Sequence, residues 1–234
     1  MITNNDLKYM PYRQNVYIGN NELLDKEIVR YTSLENLKLL LDGRLYATQR
    51  KKFIDKRECG WVKNLKNAFR FQLASCIDSE HWKQVDDKIM YAGELLTSCW
   101  SSDTQEDVLM WKAYNATVRI KTTVKKILDS INDPNIEMVF CDRMRYEQEH
   151  PYYTVEEAIF TKNYSYHNEQ EIRFYFDVLN KKESKIAIQS EGIIDEILIS
   201  PFMGREAKLL LEYIKQEFTN LNIKESAVIE GLKF

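Results

Sequence analysis

The chain has 234 residues, of which 44% are hydrophobic and 29% charged, while Gly (7) and Pro (4) are scarce. This composition indicates a folded chain with long regular elements, and it excludes a disordered chain or a Gly-rich sandwich. The net charge of −3 excludes a global electrostatic field that would attract nucleic acid or an anionic membrane. A chain of this length can bury a substantial core as one large domain.

The cysteines and histidines are scattered, and none of them stands at the spacing of a metal site. We therefore expect no metal cofactor. Single, widely spaced thiols fit a reducing compartment. The N-terminal residues lack the charged and apolar regions of a signal peptide, and no apolar run is long enough to cross a bilayer. A soluble, cytoplasmic protein without a membrane partner is expected.

The first part of the chain predicts an arm followed by strand, helix and strand. Residues 1–25 are polar and aromatic and are predicted to form a short strand or an N-terminal arm leading into the domain. Ile28–Tyr31 is predicted as a strand. A helix follows, with an N-cap in Thr32-Ser33, and it ends at Asp42-Gly43 because Gly tolerates a left-handed conformation. Leu45–Thr48 is predicted as a second strand.

Residues 50–92 are predicted to form a helical insertion in which basic residues are mixed with aromatic ones. Such a mixture can bind a polyanion. The interpretation we prefer is a solvated face on an amphipathic helix.

The remaining elements predict an α+β fold. Further strands are predicted at Glu94–Ser101, Met138–Cys141, Met144–Tyr146, Glu171–Val178, Ile186–Gln189, Ile193–Ile199 and Ile223–Ile229. Further helices are predicted from a capping box at Ser102 and Gln105, near Thr122–Ser130, and over Thr154–Thr161 and Arg205–Phe218. Because strands cluster late and helices are inserted earlier, we expect a single α+β domain over residues 1–234 with mixed or antiparallel sheets.

The segment richest in candidate catalytic side chains is Glu169-Gln170-Glu171-Ile172-Arg173. If it is extended, Glu169, Glu171 and Arg173 project from one face, with neighbours about 7 Å apart. Two carboxylates so close raise at least one pKa unless a cation offsets them, and Arg173 is placed to do so. One carboxylate could then orient a hydroxyl while the other accepts a proton. The alternative is a solvated strand face with local ion pairing.

Two other segments carry candidate ligand-binding groups. Arg30 lies in an apolar strand, where a guanidinium can clamp a phosphate or be an ordinary strand-edge side chain. Ser98 stands near a strand end, where it can hydrogen-bond a ligand or a carboxylate, or serve a turn. The aromatic side chains suited to stacking on a planar ring are Trp100, Trp111, Tyr114, Tyr164 and Tyr166. For Trp111 and Tyr114, helical spacing favours core packing.

Several segments in order resemble a bacterial and phage family known only as a domain of unknown function, numbered twenty-nine seventy-one. The resemblance runs from about residue 28 to 229. It is carried by Val29-Arg30-Tyr31, Phe53-Ile54-Asp55-Lys56-Arg57-Glu58, Thr97-Ser98-Cys99-Trp100-Ser101, Met110-Trp111-Lys112-Ala113-Tyr114, Lys162 with Glu169–Arg173, and Ile194–Pro201.

A more distant resemblance is to the arginine–serine–glutamate class of ADP-ribosyltransferases, through the order of Arg30, Ser98 and Glu169-Gln170-Glu171. It implies that Arg30 holds the NAD phosphates and that Ser98 braces the catalytic carboxylate. Glu171 would hydrogen-bond the nicotinamide ribose 2′-hydroxyl, and Glu169 would orient or deprotonate the acceptor. The other implied cofactor-binding residues are Tyr31, Trp100 and Tyr164. Glycosidic cleavage passes through an oxocarbenium-like state, which a carboxylate stabilises.

The resemblance implies NAD as a substrate and a macromolecular acceptor, either protein or nucleic acid, with NAD hydrolysis as a variant of the same reaction, in a setting of phage–host conflict. The alternative is a non-catalytic nucleotide-sensing or protein-interaction module, in which Glu169, Glu171 and Arg173 form a structural ion cluster. A nuclease is the weaker third possibility, because no Asp/Glu/His cluster with metal spacing accompanies the basic run.

Overall fold

A computed structural model describes residues 9–49, 52, 91–147, 159–179 and 184–228. The fold is α+β with largely antiparallel strand pairing, as predicted. The strands are β1 (Met10–Arg13), β2 (Val16–Ile18), β3 (Glu27–Thr32), β4 (Arg44–Tyr46), β5 (Thr48–Gln49), β6 (Leu96–Ser101), β7 (Val118–Thr123), β8 (Ile136–Arg143), β9 (Arg145–Glu147), β10 (Thr161–Asn163), β11 (Glu171–Val178), β12 (Lys185–Ala187), β13 (Glu196–Ile199) and β14 (Ile223–Glu225). The α-helices are α1 (Leu34–Leu41), α2 (Val108–Ala113), α3 (Val124–Ser130) and α4 (Arg205–Glu217), with 3-10 turns at Asn21–Leu23 and Tyr164–Glu169.

The chain divides into two compact units, each made of three stretches of sequence. The first unit comprises Met1–Asn20, Ala47–Cys99 and Asn135–Ser184, and the second comprises Asn21–Tyr46, Trp100–Pro134 and Lys185–Phe234. The single-domain organisation stays a prediction. The predicted insertion at residues 50–92 lies outside the described residues, apart from residues 52, 91 and 92.

The centre of the first unit is β11, in which every residue is buried. It pairs antiparallel with β8, and β6 lies on its other side. Beyond β8 follow β2, which runs parallel to it, and then β1. A strand covered on both faces must be apolar on both, which explains its run of Ile and Phe. One face packs Tyr175 into an aromatic cluster with Tyr9, Phe140 and Phe160.

A separate pair of short strands, β9 and β10, positions the candidate site in the first unit. They run parallel, with Lys162 opposite Tyr146. After β10, Asn163 caps a 3-10 helix by accepting a hydrogen bond from the Ser165 backbone N–H at 2.9 Å. Gln170 then takes a left-handed conformation (φ 42°), and β11 begins at Glu171.

In the second unit, β3 pairs antiparallel with β7, β7 with β13, and β13 runs parallel to β14. Helix α1 begins after Ser33, as predicted, and the Ser33 hydroxyl accepts a hydrogen bond from the Asn36 N–H at 3.3 Å. The helix ends before Gly43, whose φ is +77°. Four leucines of α1 are buried: Leu34, Leu37, Leu40 and Leu41.

The predicted capping box at Ser102 and Gln105 is wrong. Helix α2 begins after Asp107, whose carboxylate accepts a hydrogen bond from the Leu109 N–H at 2.7 Å. The residues before it form a loop, in which the Asp103 carboxylate accepts a hydrogen bond from the Gln105 N–H at 3.0 Å. Local side-chain bonds of this kind hold the backbone out of a helix.

Gly19 leads to a testable prediction about packing in the first unit. Its N–H donates to the Cys141 carbonyl at 3.1 Å, and a Cβ at this position would overlap the Asp142 carboxylate. We expect Gly19→Ala to lower the free energy of unfolding by about 1–3 kcal/mol, the usual effect of overpacking, when measured by urea denaturation. In an Asp142→Ala background the same substitution should have a much smaller effect. Equal losses in both backgrounds would contradict the steric explanation.

Candidate functional site

The candidate site is built around the Glu171 carboxylate at the start of β11. Arg173, on the same face of the strand, donates two hydrogen bonds to it: Nε to Oε1 at 2.7 Å and Nη2 to Oε2 at 2.9 Å. Glu171 is 5% exposed and Arg173 is 1% exposed. A bidentate guanidinium–carboxylate pair fixes the geometry as well as the charge of both groups.

Lys162 supplies a second cation from β10. Its Nζ lies 2.7 Å from Glu169 Oε2 and 3.3 Å from Glu171 Oε2. The same ammonium lies 4.4 Å from the centre of the Tyr166 ring. Two carboxylates and two cations therefore form one compact, charge-balanced group. We name Lys162, Glu169, Glu171 and Arg173 the carboxylate cluster.

The β9–β10 pair brings two side chains to Glu171 at once. Tyr146 stands opposite Lys162, and its hydroxyl accepts a hydrogen bond from the Glu171 N–H at 2.7 Å. Burial is the main cause that raises the pKa of Tyr146 to about 12. Its hydroxyl is therefore protonated at neutral pH, and Tyr146 holds the backbone of the site without adding a charge.

The carboxylate of Glu171 is ionised at neutral pH. Burial by itself would raise the pKa of Glu171, but the charges of Arg173 and Lys162 outweigh it, helped by hydrogen bonds from Arg173 and Cys99, and lower the pKa to about 2. As the sequence predicted, the positive charge of Arg173 counteracts the repulsion between the two nearby carboxylates. The second positive charge comes from Lys162, which the sequence analysis named only as part of the family resemblance.

Glu169 is not part of an extended segment with Glu171, which was the condition for the two side chains to share a strand face. It ends the 3-10 helix Tyr164–Glu169, and the left-handed Gln170 separates it from β11. Period-two alternation therefore cannot place Glu169 beside Glu171, and the shared contact with Lys162 does so instead. The Glu169 side chain is 21% exposed, against 6% for Glu171.

On β6, the Cys99 side chain hydrogen-bonds the Glu171 carboxylate. Because adjacent residues of a strand face opposite sides, the side chains of Ser98 and Cys99 point away from each other. Ser98 is fully buried. Its role in bracing Glu171 stays a prediction.

In the second unit, Arg30 lies between two aromatic rings. Its guanidinium carbon is 5.8 Å from the centre of the Tyr46 ring and 5.7 Å from that of Trp100, and Nη1 donates to the Tyr46 carbonyl at 3.0 Å. Thr32 and Asn36 also line the small pocket beside Arg30, whose volume of about 10 Å³ holds roughly one water molecule.

The other two predicted cofactor-binding residues have different surroundings. Tyr31 is buried in the second unit, edge-on to Trp111 at 4.9 Å, and its hydroxyl accepts a hydrogen bond from the Asp107 N–H at 2.9 Å. Tyr164, in the first unit, is 46% exposed and stacks on His167 at 4.5 Å. Tyr31 belongs to a packed core, whereas Tyr164 lies at the surface close to Glu169 in sequence.

The predicted site residues thus fall into two sets. Ser98, Tyr164, Glu169 and Glu171 belong to the first unit, and Arg30, Tyr31 and Trp100 to the second. Their assignment to NAD binding and catalysis stays a prediction. The basic residues between 50 and 70 lie outside the described residues, apart from Lys52.

Across the part of the chain that the structure describes, no group of three or more His, Cys, Asp or Glu side chains could hold a metal ion. In the same residues, no helix is both long and apolar enough to cross a membrane. Comparisons with protein-family models, with curated proteins and with solved structures give no match to this chain.

Proposed function

We propose that this chain is an NAD-dependent ADP-ribosyltransferase-like enzyme, which transfers ADP-ribose to a macromolecular acceptor or to water. The observation that carries the proposal is the carboxylate cluster, a fixed and ionised Glu171 beside the more exposed Glu169. Together with the order of Arg30, Ser98 and Glu171 in the sequence, it provides the charges that this reaction requires.

The reaction requires a negative charge next to the nicotinamide ribose. When the C1′–N bond breaks, its electron pair goes to nicotinamide, and C1′ and the ring oxygen share a positive charge. A carboxylate that is already ionised and held in place stabilises this charge without reorganising during the reaction. Glu171 has both properties, because its pKa is about 2 and Arg173 binds both of its oxygens.

Access of a ribose hydroxyl to Glu171 requires one of its present contacts to yield. Arg173 contacts the carboxylate at 2.7 and 2.9 Å, whereas Lys162 is 3.3 Å away. A hydroxyl that hydrogen-bonds Oε2 would replace the longer contact, and Lys162 would keep its 2.7 Å bond to Glu169. The charge balance of the cluster is unchanged by this exchange.

The roles proposed for the remaining residues follow their chemistry. Arg30 has the donors that bind a phosphate, and the neighbouring Trp100 and Tyr46 rings help to fix its guanidinium. Glu169 would accept a hydrogen bond from the acceptor, since its carboxylate is the more exposed of the pair.

Glu169→Gln is expected to reduce transfer of ADP-ribose to acceptors about 10²–10⁴-fold, the usual range for loss of an acid–base group, while nicotinamide release is largely retained. The measurement is incorporation of labelled ADP-ribose from NAD in a cell extract, with free nicotinamide quantified in the same samples. Glu212→Gln, at a side chain that is 63% exposed, is the matched control. Unchanged labelling in Glu169→Gln would remove Glu169 from the mechanism.

A second candidate function is a non-catalytic nucleotide-sensing or protein-interaction module. It is favoured by the number of donors already bound to Glu171: two from Arg173, one from Lys162 and one from Cys99. A carboxylate offers about four lone-pair sites, so these donors can saturate it. In that case Glu171→Gln would destabilise the protein, and the wild-type chain would release no nicotinamide from NAD.

A further inference from the structure

Lys162 is a buried ammonium whose two carboxylate contacts are unequal. Its side chain is 6% exposed, with Nζ 2.7 Å from Glu169 and 3.3 Å from Glu171. A buried charge is tolerated only when it is paired, so Lys162 must keep at least one of these partners. The shorter contact identifies Glu169 as the principal one.

The two carboxylates depend on Lys162 to different degrees. Glu171 is bound through both oxygens by Arg173, at 2.7 and 2.9 Å, and it starts a strand in which every residue is buried. Its position is therefore set without Lys162. Glu169 lies at the end of a 3-10 helix that has no buried residue. Because burial fixes Glu169 less than it fixes Glu171, the bond to Lys162 contributes more to the position of Glu169.

We propose that Lys162 is a positioning residue that holds Glu169 beside Glu171, and that it thereby determines whether ADP-ribose passes to an acceptor or to water. This inference rests on the proposed function. Lys162 itself touches neither NAD nor the acceptor in this scheme. It acts on transfer through Glu169, while Glu171, which is fixed by Arg173, supports cleavage.

The transfer step shows why the position of Glu169 matters. The C1′–N bond breaks and nicotinamide leaves with the electron pair. A lone pair of the acceptor forms the new bond to C1′, and the proton of the acceptor passes to the Glu169 carboxylate and then to solvent. Water attacks in the same way and yields ADP-ribose. Water needs no orientation by Glu169, because it is present at high concentration, whereas a macromolecular acceptor must be held near the attack geometry.

The test compares Lys162→Met, which removes the charge, with Lys162→Arg, which keeps it, in the full chain. Lys125→Met is the control. Lys125 also pairs with a carboxylate, that of Asp129, but its own side chain is 51% exposed. Transferred and free ADP-ribose are quantified from the same NAD reaction in a cell extract. We expect the ratio of transferred to free ADP-ribose to fall about 10–100-fold in Lys162→Met, the scale associated with a displacement of about 1 Å. Transfer should fall much more than total NAD consumption, and Lys162→Arg should recover most of the ratio.

A second readout does not depend on activity. The ¹³C relaxation of the Glu169 side chain, assigned with Glu169→Gln, should indicate a rigid group in wild type and in Lys162→Arg. In Lys162→Met it should become as mobile as that of exposed Glu212. If Lys162→Met does not fold, Lys162→Gln, which also removes the charge, takes its place.

Three results would overturn the inference: an unchanged product ratio, a parallel loss of transfer and consumption, or a Glu169 side chain that stays rigid without the ammonium. If the wild-type chain consumes no NAD, the proposed function is wrong, and so is the role of Lys162 in directing ADP-ribose to an acceptor or to water. The relaxation data then still decide separately whether Lys162 fixes Glu169.

Discussion

Replacing Glu171 with Gln is expected to abolish nicotinamide release from NAD and to lower the free energy of unfolding by about 3–5 kcal/mol. The activity is lost because a neutral amide cannot stabilise a developing cation. The stability is lost because Arg173 stays buried without its anion, at 1% side-chain exposure, while Lys162 keeps Glu169 as its only carboxylate in the cluster. Nicotinamide is quantified by chromatography, and the free energy of unfolding is obtained from urea denaturation.

The control for this substitution is Asp177→Asn in the same strand. Asp177 is also buried, at 4% exposure, and its carboxylate accepts a hydrogen bond from the Tyr91 hydroxyl at 2.7 Å. It should lose stability but keep NAD turnover. A folded Glu171→Gln protein that still releases nicotinamide would remove Glu171 from catalysis. Loss of turnover in both variants would indicate that destabilisation alone is responsible.

Acid should remove the stabilisation that Glu171 provides. The pKa of Glu171 falls from an ordinary value of 4.5 to about 2 in the folded chain. A depressed carboxyl pKa means that the contribution is fully present above pH 4.5 and is lost as the pH falls through about 2. The shift corresponds to about 3 kcal/mol at neutral pH. The difference in unfolding free energy between wild type and Glu171→Gln should therefore shrink across this window.

Urea denaturation at a series of pH values tests this directly. Asp142, whose pKa is raised mainly by burial, titrates in both proteins, so its effect cancels in the difference. A difference that stays constant from pH 7 to about pH 3 would show that Glu171 is not held ionised by Arg173 and Lys162.

The elements that could be predicted from the sequence are those determined by local chemistry. Ser33 and Gly43 bound helix α1 as expected, because a cap and a left-handed residue act over a few positions. The strand from Glu171 to Val178 was predicted with the same bounds, because its length and β-branched and aromatic content leave few alternatives.

The features that were missed depend on residues far apart in the chain. The shared strand face of Glu169 and Glu171 depended on an extended backbone at Glu169, but Asn163 and Gln170 bound a 3-10 helix there. Tyr146 reaches Glu171 only through the pairing of β9 with β10, which no local pattern in the sequence indicates. The partner of Glu169 is Lys162, seven residues earlier, and only the turn between them brings the two together.

The division into two units also could not be predicted from the sequence. Each unit draws on three separated stretches, so the chain has five boundaries between them. One of these boundaries, between Cys99 and Trp100, falls inside β6. A strand that contains a boundary has the alternation of any other strand, so pattern analysis has no signal there.

The most direct test of the central claim is incubation of the purified wild-type chain with NAD, with and without cell extract, followed by quantification of free nicotinamide and calorimetric titration of NAD binding. The proposed function predicts nicotinamide release that rises with time and protein concentration and is absent in Glu171→Gln. Neither NAD binding nor nicotinamide release by the wild-type chain, even with extract present, would contradict it.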